Sequence, residues 1–176
     1  MINFKIEQGD ITTYNADTIV NEANSTLLGG GGVDGAIHRK AGPELLEECR
    51  TLNGCKIGEA KITKGYNLPA KHIIHTVGPN ITGIYGPTED EVKDLYNAWY
   101  KSLKLADEHG LITIAFPSIS TGIYSFPLEK APSVAYQAIK DYSKINKNIK
   151  EVTLVCFDDQ TLSFYQSYMD RFTSSI

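Results

Sequence analysis

The sequence predicts an α/β domain, and three observations carry the prediction. Apolar runs of strand length alternate with stretches of helical period from end to end, the pattern of helices laid on a largely parallel sheet. The chain has 176 residues, inside the range of about 100–200 that one domain usually occupies. Hydrophobic residues make up 41% and charged residues 22%, the composition of a domain that can build its own core without staples. One domain over 1–176 is expected.

Each element has a local reason. Ile2 to Ile6 reads as a strand, and Thr18-Ile19-Val20 as a short buried one. Ala36-Ile37-His38-Arg39 looks helical. Ala60 to Thr63 and His72 to Val77 read as strands parted by the turn-rich Gly65-Tyr66-Asn67-Leu68-Pro69. Thr88 with Glu91 three residues on forms a capping box, in which each side chain satisfies an orphan N–H of the first turn. Val92, Leu95, Tyr96, Trp99, Leu103 and Ala106 follow at helical spacing, and Gly110 supplies the stop. Thr113 to Phe116 is the next strand. A helix opens after Pro127, with Pro132 near its first turn and Ala131, Val134, Ala135, Ala138, Ile139 and Tyr142 on one face. Val152 to Phe157 is β-branched and nearly all apolar, as expected of a strand covered on both faces. A last helix runs from about Asp159 to Phe172, with Leu162, Tyr165, Met169 and Phe172 inward. The periodicity explains Trp99, Met169 and these aromatics as core.

Charge and cysteine content narrow the function. Lys and Arg number 17 against 21 Asp and Glu, a net charge of −4. A general duplex-DNA binder needs a basic surface, so nucleic acid is not an expected partner. A local anion site stays open, because backbone N–H groups bind phosphate without Lys or Arg. No apolar stretch reaches the roughly 18 residues of a membrane span, and Met1 to Glu7 has no signal-peptide core, so a cytoplasmic protein is expected. Cys49, Cys55 and Cys156 are odd in number and form no close pair, which argues against a disulfide framework. His38, His72, His75 and His109 do not fall at finger spacings around them, and no metal is expected.

Two loops stand out. The first runs from Asn21 through Asn24 to four successive glycines, Gly29 to Gly32, and then Val33, Asp34 and Gly35. Backbone without side chains can approach a ligand closely and turn its N–H groups on an anion, and the helix that follows offers its N-terminus. A flexible linker is the plainer reading, but Leu27, Leu28, Val33 and Ile37 bracket the glycines. Gly30 to Gly35 formally matches G-x-G-x-x-G, yet Val20 lies ten residues upstream of Gly30, whereas the Rossmann turn follows its strand at once. No Lys-Ser or Lys-Thr follows the glycines, so the nucleotide P-loop is absent as well. The second loop, Pro117 to Pro127, leaves the strand Thr113 to Phe116 with small hydroxyl residues and Gly122. An ordinary βα loop would look similar. Two phosphate-friendly loops together suggest a ligand with two phosphates, or a phosphate and a sugar. Asp10, at the end of the first strand, can cap a turn or accept a hydrogen bond from the amine of a base.

These segments resemble the macrodomains, and among them the MacroD-type ADP-ribosyl hydrolases. Gly9-Asp10-Ile11-Thr12, residues 21–24, residues 28–42, Leu68-Pro69-Ala70-Lys71, His75-Thr76-Val77-Gly78-Pro79 and residues 118–124 carry the resemblance in order, over nearly the whole chain. It implies a three-layer α/β/α fold around a six-stranded mixed central sheet, with ADP-ribose in a cleft above it. By that resemblance Asp10 binds the adenine amine with Ile11 beside it, and Phe157 packs on the ring. The backbones of Gly32, Val33, Ser120, Thr121, Gly122, Ile123 and Tyr124 cradle the diphosphate and distal ribose, with the Tyr124 ring against that ribose. Asn24 and Asp34 match the catalytic pair. Glu22 departs from the pattern, which usually has Ala there.

The implied activity is hydrolysis of ADP-ribose adducts: removal of mono-ADP-ribose from acidic side chains and deacetylation of O-acetyl-ADP-ribose, with no metal or other cofactor. ADP-ribose and ADP-ribosylated proteins are the implied partners, and a monomer is expected. Asp34 is the only carboxylate next to the glycines of the two loops and can polarise a water if burial raises its pKa, while Asn24 holds the water and a ribose hydroxyl. Asp34 as a helix cap and Asn24 as a turn residue are the plainer alternatives. His38, four residues past Asp34, is expected to point a helical turn away as a packed or capped histidine, with no catalytic role. A non-catalytic reader of ADP-ribose and an unrelated nucleotide-dependent α/β protein are the competing functions. The reader needs the cradle but no carboxylate beside the distal ribose.

Overall fold

A computed structural model describes residues 1–172. Six strands form one sheet: β1 (Asn3–Gln8), β2 (Thr18–Glu22), β3 (Ala60–Lys64), β4 (His72–Thr76), β5 (Thr113–Phe116) and β6 (Glu151–Cys156). Their spatial order is β1-β6-β5-β2-β4-β3. All neighbours are parallel except β3, which runs antiparallel to β4 at one edge. Five helices cover the sheet: α1 (Gly32–Ala41), α2 (Pro43–Thr51), α3 (Glu89–Glu108), α4 (Ala131–Ser143) and α5 (Asp159–Phe172). This is the three-layer mixed arrangement that the resemblance implied.

Strand alternation divides the interior into two cores. Val20, Ile74, Phe116 and Leu154 meet α3, α4 and α5 on one face. Ile19, Ile73, Ala115 and Val155 meet Ile37 and Ala41 of α1 and Leu45 and Cys49 of α2 on the other. Trp99 is fully buried and stacks on Phe116, ring centroids 4.1 Å apart, so it is core as its spacing suggested. The Thr88–Glu91 capping box is present with both bonds made. Tyr165 is buried and Leu162 and Met169 pack half-buried on the same core, while the side chain of Phe172 lies outside the described residues.

Several boundaries differ from the sequence reading. β1 extends to Gln8, where its ladder with β6 ends at Gln8↔Cys156, so Phe157 is just past the strand. β2 extends to Glu22 because β4 pairs with it through Thr76. α4 begins at Ala131, since residues 127–130 form a turn closed by the Lys130 and Ala131 N–H groups on the Pro127 carbonyl. α2 has no counterpart in the reading. Gly42, at φ +92, both ends α1 and opens α2, and Pro43 takes the first helical position.

One glycine locks the site to the fold. A Cβ on Gly78 would stand 2.1 Å from the Ser120 Oγ and 2.7 Å from the Ile119 Cγ2. Ile119 and Ser120 are both fully buried, so neither can give way. Gly78→Ala is expected to overpack this contact by about 1–3 kcal/mol and lower the melting temperature by roughly 3–10 °C. An unchanged melting temperature would show that the loop after β5 is not seated on Gly78.

Candidate active site

The connections after β2 and β5 diverge. β2 leads to α1 on one face of the sheet, and its neighbour β5 leads to α4 on the other. Diverging helices leave a crevice at the carboxyl ends of the strands, where open α/β sheets take ligands. Here the crevice encloses about 330 Å³ and is lined by residues 22–24, 30–34 and 122–124.

Much of its wall is bare backbone. A Cβ added at Gly31, Gly32 or Gly122 would meet nothing within 4 Å. Only Gly32, at φ +58, needs glycine for its conformation. At Gly31 and Gly122 neither backbone geometry nor packing demands a glycine, and its effect is to leave open space in the crevice. Gly31 caps α1 without a side-chain bond, so first-turn N–H groups remain available to an anion. The glycine run is not a linker. Leu27 is buried in the core, the Cys55 N–H holds the Ser25 carbonyl at 2.9 Å, and Gly30 crosses α1 so closely that a Cβ on Gly35 would be 2.5 Å from its carbonyl oxygen.

Consecutive residues at the end of β2 point to opposite faces and pin opposite walls. Asn21, fully buried, donates from Nδ2 to the Asp34 Oδ1 at 2.9 Å and lies 3.1 Å from the His75 Nδ1. Burial pushes His75 down to about 3, with His38 adding to the shift, so its ring is neutral. Its Nδ1 therefore accepts from Asn21, and its Nε2–H donates to the Thr63 Oγ1 at 2.9 Å. This relay sets the orientation of Asp34, whose own pKa burial raises against the opposing pull of Asn21 and His38. Glu22, on the other face, lines the crevice and accepts the Ser120 N–H with its Oε1. Burial pushes its carboxyl from 4.5 to about 7, the Ser120 bond opposes this, and the nearby Asp34 adds to it.

The residues picked from sequence fall into three places. Asn24, Asp34, Gly32, Val33, Gly122, Ile123 and Tyr124 line the crevice. Ser120 and Thr121 stand behind that wall: Ser120 is buried at φ +65, and the Thr121 hydroxyl pairs with that of Ser118 at 2.6 Å. Asp10, Ile11 and Phe157 stand off the crevice, at the ends of β1 and β6, where the Gly9 N–H bonds to the Cys156 carbonyl at 3.0 Å. Ile11 is buried and Phe157 is 86% exposed. The Asp10 Oδ1 takes the cap role, accepting the Thr12 N–H at 3.0 Å and hydroxyl at 2.7 Å, while Oδ2 faces the Lys40 ammonium at 3.5 Å.

Three alternatives resolve. Asp34 is not a helix cap: Gly31 is, and Asp34 sits in the first turn. Asn24 does act in a turn, with Oδ1 accepting the Thr26 N–H and hydroxyl and Nδ2 donating to the Gly29 carbonyl at 3.0 Å. Asn24 and Asp34 flank Gly30, where a Cβ would be 3.5 Å from the Asn24 Nδ2 and 3.1 Å from the Asp34 Oδ2. The expectation that His38 points away is wrong. Four residues are one turn, which puts it on the Asp34 face with Nε2 3.5 Å from Oδ1, an ionic approach longer than a good hydrogen bond. Asn21 and Glu22 were not picked as site residues. Of four buried side-chain polar atoms without a partner among the described residues, three belong to Asn21, His38 and Ser120, around this crevice. Such groups concentrate where a structure serves a ligand.

Comparison with known proteins agrees with this geometry. The sequence pattern described as Macro domain matches residues 20–135. A mouse protein named ADP-ribose glycohydrolase MACROD2 is 50% identical over 166 residues, covering 94% of this chain and 34% of that protein. A protein of Pantoea vagans named O-acetyl-ADP-ribose deacetylase 1 is 48% identical over 169 residues, covering 94% and 97%. The crystal structure of a Trypanosoma brucei macrodomain in complex with ADP-ribose superposes with a TM-score of 0.87 at 39% identity, covering 95% of this chain and 69% of the other.

The raised Glu22 carboxyl has a stability consequence. From 4.5, its ordinary value, to about 7, the unfolded chain has released this proton while the folded chain keeps it. Stability therefore falls as pH rises through that window and levels off above it. Asp34 contributes with the same sign. Melting temperatures of Glu22→Gln, taken from pH 4 to 8.5, are expected to fall less steeply across the window than those of the wild type. Parallel curves would mean that Glu22 titrates as an ordinary surface acid.

Proposed function

The chain belongs to the macro domain family, and from that premise we propose that it is a hydrolase of ADP-ribose adducts, removing mono-ADP-ribose from acidic side chains and the acetyl group from O-acetyl-ADP-ribose. One observation carries the reading. A buried carboxylate of raised pKa, Asp34, flanks Gly30 together with an amide, Asn24, at the foot of a crevice walled by bare N–H-bearing backbone.

The roles follow from chemistry. First-turn N–H groups at Gly32 and Val33 and those of residues 122–124 receive the diphosphate, while Ser120, its own N–H held by Glu22, and Thr121 back that loop. Tyr124, on the crevice wall, lies against the distal ribose. Adenine lies toward β1 and β6, where the Oδ2 of Asp10, shared with Lys40, accepts from its amine, Phe157 offers a face for stacking and Ile11 supports the turn. Asn24 has one Nδ2 proton left beyond its bond to Gly29, enough to hold a ribose hydroxyl or the attacking water. Asp34, its Oδ1 fixed by Asn21, presents Oδ2 to that water. Burial makes Asp34 a better proton acceptor than a solvated Asp. The water oxygen adds to the ester carbonyl as its proton passes to Asp34. Loop N–H groups stabilise the oxyanion, and as it collapses the ribose–ester bond breaks and the ribose oxygen takes the proton back from Asp34, leaving as a hydroxyl. No step requires a metal.

A second reading, a non-catalytic reader, draws on the three hydrogen bonds that already tie the Asn24 side chain into its own turn. Incubation with a glutamate-linked mono-ADP-ribosylated protein and with O-acetyl-ADP-ribose separates the two. The hydrolase releases free ADP-ribose from the first and acetate from the second, whereas the reader binds both and releases neither. Asp34→Asn is expected to slow turnover by about 100-fold or more, the usual scale of a lost acid–base group, with ADP-ribose affinity changed little. Unchanged turnover in this variant would remove Asp34 from the reaction.

A further inference from the structure

We propose that Glu22 is a ligand-facing residue of the crevice and that its carboxyl group takes up a proton when the anionic diphosphate of ADP-ribose binds. The inference rests on the ADP-ribose reading above and goes beyond it, because the catalytic role given to Asn24 and Asp34 makes no use of Glu22.

Two observations carry it. The residues lining the crevice include two acids, Glu22 and Asp34, and no Lys, Arg or His. A doubly charged diphosphate would enter a site that already holds like charge, where repulsion is strong because the groups are shielded from water. The Glu22 Oε1 already accepts the Ser120 N–H, so this carboxylate sits on the very loop whose donors are to receive the phosphates. Ionised, it competes with the ligand there. Protonated, it keeps the Ser120 bond through Oε1 and donates from Oε2 to a ligand oxygen. The proton comes from solvent and no other bond changes.

The surroundings of Glu22 favour the same direction. From α1 it faces Asp34, which disfavours its ionised form. From α5 the Tyr165 hydroxyl, bonded to Ser118 at 2.9 Å, feels Glu22 as a negative neighbour. The loop after β5 contributes the Ser120 N–H, which opposes them. His38 approaches Asp34 rather than Glu22, and among the described residues no cation pairs with Glu22. With its midpoint already near 7 in the free protein, a bound anion needs to move it only upward.

Calorimetric titration of ADP-ribose at pH 8, in buffers of different ionisation enthalpy, counts the protons taken up. ADP-ribose itself carries no phosphate group that titrates in this range. The wild type is expected to take up close to one proton at pH 8 and about half a proton at pH 7, its Kd rising roughly tenfold per pH unit above 7. Glu22→Gln and Glu22→Ala are expected to bind without proton uptake and with a Kd nearly flat from pH 6 to 8.5. Wild-type binding without uptake would overturn the inference and leave the proposed function standing. So would uptake that survives in both Glu22 variants but vanishes in Asp34→Asn. No binding of ADP-ribose to the wild type would overturn the proposed function, and this inference with it.

Discussion

The crevice depends on one buried amide. Asn21 has two N–H bonds to give, and it gives one to Asp34 and one to His75. A carboxylate on the first turn of a helix entered through a run of four glycines would otherwise be free to rotate. The amide ties it to β2, the strand on which both walls of the crevice converge, and His75 ties the amide to β4. Because His75 is neutral, its acceptor nitrogen is fixed toward Asn21 and the relay has a single hydrogen-bonding sense. Loss of the amide would leave two buried acceptors unpaired, at about 1–3 kcal/mol each.

The site has an unusual charge logic. Anion sites are commonly built from Arg and Lys, but the proposed one offers backbone N–H groups and two raised carboxyls. The wall and the carboxyls serve different needs. Bare backbone gives directed donors at close range without the bulk of a side chain, while burial raises both carboxyls, which in the proposed reaction favours proton transfer to Asp34. Asp34 also raises the cost of ionising Glu22, so holding both charges in the crevice costs more than holding either alone.

Much of the fold was legible in the sequence, because the signals are local. The Thr88–Glu91 box, the stop at Gly110 and the apolar β5 and β6 runs each need only a few neighbouring residues. α2 escaped notice although Pro43 marks its start, because Gly42 serves two helices at once and reads as a simple loop. The crevice was legible in its loops and not in its depth. Asn21 and His75 are 54 residues apart, and no periodicity pairs them. Their polarity inside strand runs was the available signal, since a buried amide or imidazole in a central strand must find a partner. The side on which Glu22 falls follows from alternation along β2 once the strand is known to reach residue 22. His38 was misplaced for a reason that geometry corrects: residues four apart on a helix share a face.

The central claim is that Asn21 holds Asp34 in its working orientation without touching ligand. The direct measurement is kcat and ADP-ribose affinity for Asn21→Ala, in protein shown to be folded by circular dichroism, on a glutamate-linked mono-ADP-ribosylated target. This account predicts that kcat falls by at least about tenfold while the Kd for ADP-ribose stays near the wild-type value, since the diphosphate cradle does not involve Asn21 and a lost buried hydrogen bond is worth about 1–3 kcal/mol. A folded Asn21→Ala protein that turns over at the wild-type rate would contradict it.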